Sequence, residues 1–199
     1  MSEPSAVRNA ISSPSEACGG CPSIIETDRL ILRAHTLADL PHVHRLGTDP
    51  EIFRFTGNDK PSTEEESWRR LLFYIGHWSA LGFGMFAMTD RKTGTFLGET
   101  GIKRFNRGIG PHFDPYPEAA WRLLPFAQGK GYAAEAVTAV HDWFSARCTE
   151  PKTVCMINFE NAPSLKLAEK LGYRPFGEAD YKDERLMLLE RPLPSHPAN

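Results

Sequence analysis

The chain has 199 residues, 41% hydrophobic, 24% charged and 11% aromatic, enough for one compact domain with a sizeable core and too few for two typical ones. Lys and Arg total 23 against 25 acids, a net charge of −2, so overall charge gives no reason to expect nucleic acid or an anionic membrane as a partner. No apolar run approaches the roughly 18 residues of a membrane span, and Met1-Ser2-Glu3-Pro4-Ser5 lacks the basic-then-apolar layout of a secretion signal, so a cytoplasmic domain is expected.

Residues 1–24 are rich in Ser, Pro, Gly and Ala and cannot bury enough surface to offset their ordering entropy; they read as a disordered tail. Residues 192–199 read the same way, leaving 25–191 for a single domain. Cys18 and Cys21 have the spacing of a metal knuckle. Cys148 and Cys155 are separated by six residues, and no His stands beside either pair at finger spacing, so four free thiols and no metal are expected.

Arg29 to Ala34 reads as a first strand. Thr36 then caps a helix with Asp39 at its third position, running to about Leu46 before Gly47. His42 and His44 fall two apart on that helix and so on different faces, as solvated or locally bonded rings. Pro61-Ser62 followed by Glu64, Glu65 and Glu66 opens a second helix, with acids where the helix dipole favours them. Its stripe of Trp68, Leu71, Leu72, Ile75 and Trp78 is expected in the core.

Met85–Thr89 and Thr95–Ile102 flank a turn ending in Gly94 and form a hairpin. Residues 106–117 make a long loop, expected to help choose a ligand through Phe113, Asp114 and Tyr116. A strand from Glu118 to Leu124 follows, then a helix from Ala133 to about Arg147 with Ala136, Val137, Val140 and Phe144 inward. Thr153 to Phe159 is a nearly unbroken apolar strand, buried on both faces. A helix from Asn161 to Leu171 ends at Gly172, and strands near Arg174–Gly177 and Glu184–Glu190 finish the chain.

The stretch Leu123-Leu124-Pro125-Phe126-Ala127-Gln128-Gly129-Lys130-Gly131-Tyr132-Ala133 joins a strand directly to a helix through two glycines. Unpaired N–H groups in a helix's first turn favour phosphate, and glycine lets an anion approach the backbone; a tight packing turn is the competing explanation. Gly-x-x-x-x-Gly-Lys-Ser/Thr is absent, and the third glycine of Gly-x-Gly-x-x-Gly falls at Ala134, so neither commoner nucleotide cradle fits.

Gln128-x-x-Gly131-x-Ala133, preceded by Leu123-x-Pro125, resembles the acetyl-coenzyme A signature of GNAT N-acetyltransferases. Thr27-Asp28-Arg29-Leu30, Glu118-Ala119-Ala120-Trp121-Arg122-Leu123 and Asn161-x-x-Ser164 with Glu169-Lys170-Leu171-Gly172-Tyr173 resemble the RimJ/RimL-type branch, which includes ribosomal-protein N-terminal acetyltransferases; Ala120 replaces its usual glycine. The likeness covers about residues 25–190. It implies an α/β (α+β) fold with a mixed, mostly antiparallel sheet flanked by helices.

The resemblance also implies acetyl-CoA as co-substrate and an amine acceptor, a protein N-terminus or a small molecule, attacked directly in a ternary complex. The loop of Gln128, Gly129, Lys130, Gly131, Tyr132 and Ala133 would hold the pyrophosphate, and the backbone near Leu123 would pair with the pantetheine arm. Asn161 would contact that arm, cap its own helix, or do both. Many relatives carry an acidic tyrosine seven residues after the motif asparagine, where this chain has Ala168, so Ser164 is the candidate donor to the sulfur. Glu118 is the first candidate base and Glu99 the second. An α-amine, with a pKa of about 8, needs less help from a base than lysine at about 10.4, which favours an N-terminus or a weakly basic small amine. A monomer or homodimer is expected, and a non-catalytic acyl-CoA-binding module is the alternative.

Overall fold

The computed structural model describes residues 24–55 and 60–194. Eight strands form one sheet in the order β1 (Ile25–Glu26), β2 (Leu30–Ala34), β3 (Met85–Asp90), β4 (Phe96–Lys103), β5 (Glu118–Leu123), β6 (Lys152–Asn158), β8 (Glu184–Pro192) and β7 (Arg174–Tyr181). Every neighbouring pair is antiparallel except β5 and β6. The helices are α1 (Leu40–Thr48), α2 (Pro50–Phe53), α3 (Glu64–Leu81), α4 (Tyr132–Ser145) and α5 (Ala162–Lys170). This is the expected mixed, mostly antiparallel sheet flanked by helices, with β1 and α2 added as short elements.

Strand alternation gives each face its own core. Leu30, Leu32, Phe86, Met88 and Ile102 meet Ala136, Val140 and Phe144 of α4 in the larger cluster. Burying a side chain such as Phe86 contributes about 2–3 kcal/mol. Ala87, Phe96 and Leu124 meet Leu46 of α1 and Ile52 of α2 in a smaller cluster.

Several expected boundaries shift. Gly47 lies inside α1 and does not end it; a Cβ there would stand 2.8 Å from the Ser62 hydroxyl, so glycine permits close approach of the segment leading into α3. In α3 the buried positions are Ser67, Leu71, Tyr74, His77 and Trp78, while Trp68 and Leu72 face outward, 39% and 43% exposed. Polar residues with tertiary partners set that face: Ser67 meets His44, Tyr74 donates to Glu99, and His77 bonds the Phe83 carbonyl and the Arg104 N–H. β7 runs longer than expected because its exposed, mixed pattern lacks the signal of a half-buried strand. Pro192 ends β8 and Leu193 is buried, so packing extends past residue 191. Cys148 and Cys155 are buried and in no disulfide among the described residues, and Cys18 and Cys21 lie outside those residues.

Two polar networks are sealed in the fold. Near β6, the Val137 carbonyl only accepts, so His141 Nδ1 donates to it (2.8 Å) and Nε2 accepts from the Tyr173 hydroxyl (2.8 Å), which in turn accepts from Thr153 (2.8 Å). Burial pushes His141 down to about 4, which keeps the ring neutral.

On the α1–α3 face, Asp39 takes a two-point ion pair from Arg33 (2.7 Å on each oxygen) and the Thr36 N–H (2.7 Å). One row over, Glu99 Oε1 accepts from Tyr74 (2.7 Å) and from Arg122 Nη2 (2.5 Å) and Nε (3.0 Å). Burial alone would raise both carboxyls. The Arg33 and Thr36 hydrogen bonds outweigh it at Asp39, and the Arg122 charge leads at Glu99; each is held near 2. The His35 ring lies between them, 3.9 Å from one oxygen of each, and burial pushes it down.

Tyr173→Phe removes the central hydroxyl of the His141 network and leaves buried partners unsatisfied; urea unfolding should show a loss of about 1–2 kcal/mol. Because the folded values of Asp39 and Glu99 lie below their ordinary 3.8 and 4.5, the folded state binds fewer protons than the unfolded chain. Their contribution is complete above about pH 5 and fades as pH falls towards 2, by about 2 kcal/mol for Asp39 and about 3 kcal/mol for Glu99. His35 adds in the same direction below about 6.5. Urea midpoints should therefore fall steeply between pH 6 and pH 3, and a flat profile would contradict the assignment.

Candidate active site

β5 passes into α4 through a turn at Pro125–Ala127 and then Gln128, Gly129, Lys130 and Gly131. Gly129 and Gly131 sit at φ +71° and +81°, backbone positions that a side chain would strain. No side chain caps α4, and its first backbone bond runs from Glu135 N–H to the Gly131 carbonyl. The amides of Tyr132, Ala133 and Ala134 precede that bond and have no intrahelical acceptor.

The one acid of that turn, Glu135, is neutralised. Arg29 pairs with it at 2.6 Å, Thr27 donates to it at 2.5 Å, and Arg29 Nη1 also donates to the Lys130 carbonyl at 3.0 Å. Free amides, two left-handed glycines and a neutralised acid fit a diphosphate group. Arg29, just ahead of β2, pins the loop from about a hundred residues earlier, which no local pattern could show.

The parallel pair β5 and β6 keeps register only at Glu118↔Val154, and the strands then splay. Leu124 N–H bonds the Leu97 carbonyl on β4, so by alternation the N–H and C=O of Trp121 and Leu123 face the opposite edge, where β6 has moved away. Gln128 Nε2 takes up the Leu123 carbonyl (3.0 Å), leaving the Leu123 N–H towards the gap.

A cavity opens on each side of this gap. One, of about 490 Å³, is lined by Leu123, Gln128, Gly129, Gly131, Tyr132 and Ala133. The other, of about 500 Å³, lies on the α3 face and includes Tyr74, Glu99, Lys103, Phe105, Arg107 and Glu118. Trp121, Arg122, Asn161 and Ser164 line both. At that junction Asn161 Oδ1 caps α5 by accepting from the Ser164 N–H (3.2 Å), and its Nδ2 has no acceptor among the described residues. Trp121 Nε1, which can only donate, reaches Ser164 Oγ at 3.3 Å. The serine oxygen therefore accepts, and its own hydrogen is free for another acceptor.

The floor of the α3-side cavity is a cross-strand ladder: Glu99 opposite Arg122, Gly101 opposite Ala120, Lys103 opposite Glu118. Small residues stand in the middle and charges at the ends. Both Glu118 oxygens hold Arg107, at 2.5 and 2.9 Å, and Arg107 also donates to the Tyr181 hydroxyl at 2.9 Å. Glu99 is committed to Tyr74 and Arg122.

The structure gathers the predicted Glu99, Glu118, Leu123, Gln128, Gly129, Gly131, Tyr132, Ala133, Asn161 and Ser164 around the two cavities. The Lys130 side chain is exposed and outside both linings, and only its carbonyl serves the loop. Loop 106–117 differs from expectation: Phe113 is core against Val154 and Leu188, and Asp114 binds the Gly110 N–H. The loop reaches the cavity through Arg107, whose pairing with a residue eleven positions on leaves no periodic mark. Tyr74, Lys103 and Arg107 were missed because their significance is tertiary.

The family model for the acetyltransferase (GNAT) domain matches residues 29–174. A solved structure from Bordetella pertussis, assigned to the GNAT acetyltransferases, is 33% identical and superposes with a TM-score of 0.75, covering 85% of this chain and 99% of its own. Spermidine N-acetyltransferase from Vibrio cholerae, solved with CoA and spermine, shares the fold at 18% identity and TM-score 0.67, covering 84% of this chain and 97% of its own. So does an acetyltransferase from Salmonella typhimurium that modifies the N-terminal serine of a 50S ribosomal-subunit protein, at 15% and 0.69, covering 86% and 100%. Among the described residues no helix is long and apolar enough to cross a membrane. With the glycine cradle, the splayed strands and the family match in hand, the chain is a member of the GNAT acetyltransferase family, of RimJ/RimL type, and an acetyl-CoA-dependent N-acetyltransferase.

Proposed function

We propose that the protein acetylates a primary amine by direct attack on the thioester of acetyl-CoA in a ternary complex. The meeting of the two cavities at Trp121, Arg122, Asn161 and Ser164 carries this reading, because each substrate can enter from its own side. Acetyl-CoA supplies an activated acyl group.

The amides of Gly129 to Ala133 receive the pyrophosphate, and the freed backbone edge at Trp121 and Leu123 receives the pantetheine arm. A backbone N–H aimed at the thioester oxygen stabilises the charge that develops there, by roughly 3–4 kcal/mol per donor. The amine nitrogen forms the new C–N bond as the C–S bond breaks. Ser164 donates a hydrogen bond to the departing sulfur through the one hydrogen that its bond from Trp121 leaves uncommitted, and the thiolate takes up the proton that the amine loses, so that serine and carboxylate end as they began.

The amine's proton goes to Glu118, directly or through a water. Arg107 fixes this carboxylate without using all of its roughly four acceptor sites. Glu99, held near 2 and engaged by Tyr74 and Arg122, is the weaker base and acts as the counterion of Arg122. The acceptor is a protein N-terminal α-amine or a small-molecule amine, the classes on which the Salmonella and Vibrio neighbours act.

Gly131→Glu places a carboxylate in the cradle and should abolish acetyl-CoA binding by calorimetry while circular dichroism stays unchanged; retained affinity in the folded variant would refute the cradle. Glu118→Gln should lower turnover roughly 100-fold with coenzyme affinity intact. Normal turnover in that variant would remove Glu118 from the mechanism.

A further inference from the structure

Lys103 is a lysine with only 6% of its surface exposed. Lysines are rarely buried without a partner, because an unpaired buried ammonium costs several kcal/mol. Its cross-strand neighbour Glu118 is taken by Arg107 on both oxygens. Among the described residues, no hydrogen bond or ion pair involves the Lys103 ammonium, which lies 4.4 Å from the centre of the Phe105 ring in the cavity wall.

Six cationic and three anionic side chains line that cavity. Arg107 and Arg122 are cancelled by Glu118 and Glu99, and Arg69 pairs with Glu65. Lys103 is left over, and so are the exposed Lys182 and also Arg70, one of whose nitrogens is buried with no acceptor among the described residues. Burial pushes Lys103 down to about 8, against the pull of Glu118, so the group is still mostly charged at neutral pH.

We propose that the acceptor amine carries a second, anionic group, a carboxylate or phosphate, and that Lys103 is the residue that binds it. This rests on the acetyltransferase reading and narrows its substrate class. The same positive field repels a polycation such as a polyamine. It also disfavours the ammonium form of any bound amine, which lowers the demand on Glu118. Glu118 and Trp121 are three residues apart on β5, about 10 Å at strand rise. Lys103, opposite Glu118, therefore holds an anion separated from the reacting nitrogen by a short spacer.

The test is steady-state acetylation at saturating acetyl-CoA of 6-aminohexanoate against hexylamine, and of Ala-Asp against Ala-Asn peptide amides, with O-phosphoethanolamine and spermidine alongside. The acidic member of each pair should have a KM at least about tenfold lower, and spermidine should be the poorest acceptor. Whether 6-aminohexanoate or Ala-Asp leads separates a free metabolite from a peptide terminus. Lys103→Met should erase the preference by raising KM for the acidic member with little change in kcat. Lys103→Arg should retain it, which guards against a folding artefact in the first variant.

Equal use of acidic and neutral acceptors, or an unchanged preference in Lys103→Met, overturns the proposal. Should no amine be acetylated, calorimetry of 6-aminohexanoate and hexylamine with the CoA-bound protein decides. Binding of the acid alone, lost in Lys103→Met, keeps the anion site and rejects the transferase mechanism. Equal binding of both, or none of either, rejects the anion site.

Discussion

The feature on which the rest depends is a sheet that fails to close at one seam. Seven strand pairs join the eight strands, and six of them are antiparallel. At the seventh, β5 and β6 touch at Glu118↔Val154 and part. Backbone polar groups without partners are costly when buried, so Trp121 and Leu123 can tolerate this only beside water or a ligand. The gap thus connects the two faces of the sheet where the two cavities share their lining. α4 follows from the same seam: a parallel neighbour needs a crossover, and the crossover helix starts beside the gap with its free amides. One topological constraint supplies the uncapped helix start, the freed strand edge and the junction of the cavities together.

Much of this was legible in the sequence because its causes are local. The cradle announced itself through Gly129 and Gly131 ahead of an uncapped helix, and the core face of α4 through Ala136, Val137, Val140 and Phe144, all buried. Hairpin, cap and helix stop at Asp90–Gly94, Asn161 and Gly172 follow from turn chemistry. What was not legible is tertiary. The inward face of α3 does not follow its apolar stripe because Ser67, Tyr74 and His77 are buried polar residues whose partners lie on other elements. Loop 106–117 spends its Phe113 ring on the core, and its contribution to the cavity, Arg107, is visible only once Glu118 stands beside it.

The charges of the site are arranged as compensated pairs with a remainder. Arg33–Asp39, Arg122–Glu99 and Arg107–Glu118 each bring a guanidinium to a carboxylate on the α1–α3 side, where burial would otherwise forbid either ion. At Glu99, which Arg122 and Tyr74 both engage, the pair makes a rigid wall of the cavity. The remainder at Lys103 does not appear in a net charge of −2. Bulk charge averages over a surface that is acidic elsewhere, whereas a ligand meets the local field of one cavity.

The same distinction between local fit and family habit explains Ala168. The position expected to carry an acidic tyrosine is fully buried, packed in the larger core cluster, and its carbonyl accepts from both Leu171 and Tyr173. A phenol there would have to displace core side chains, and overpacking of that size costs more than 1 kcal/mol. Tyr173 cannot substitute, because its hydroxyl is sealed with His141 and Thr153, and burial pushes its pKa well above the usual value. On the proposed mechanism, the group that meets the departing sulfur therefore stands in the first turn of α5, beside the gap. Ser164 is the hydroxyl that stands there, and the Trp121 N–H, by occupying its oxygen as an acceptor, leaves its hydrogen free to be donated in a hydrogen bond.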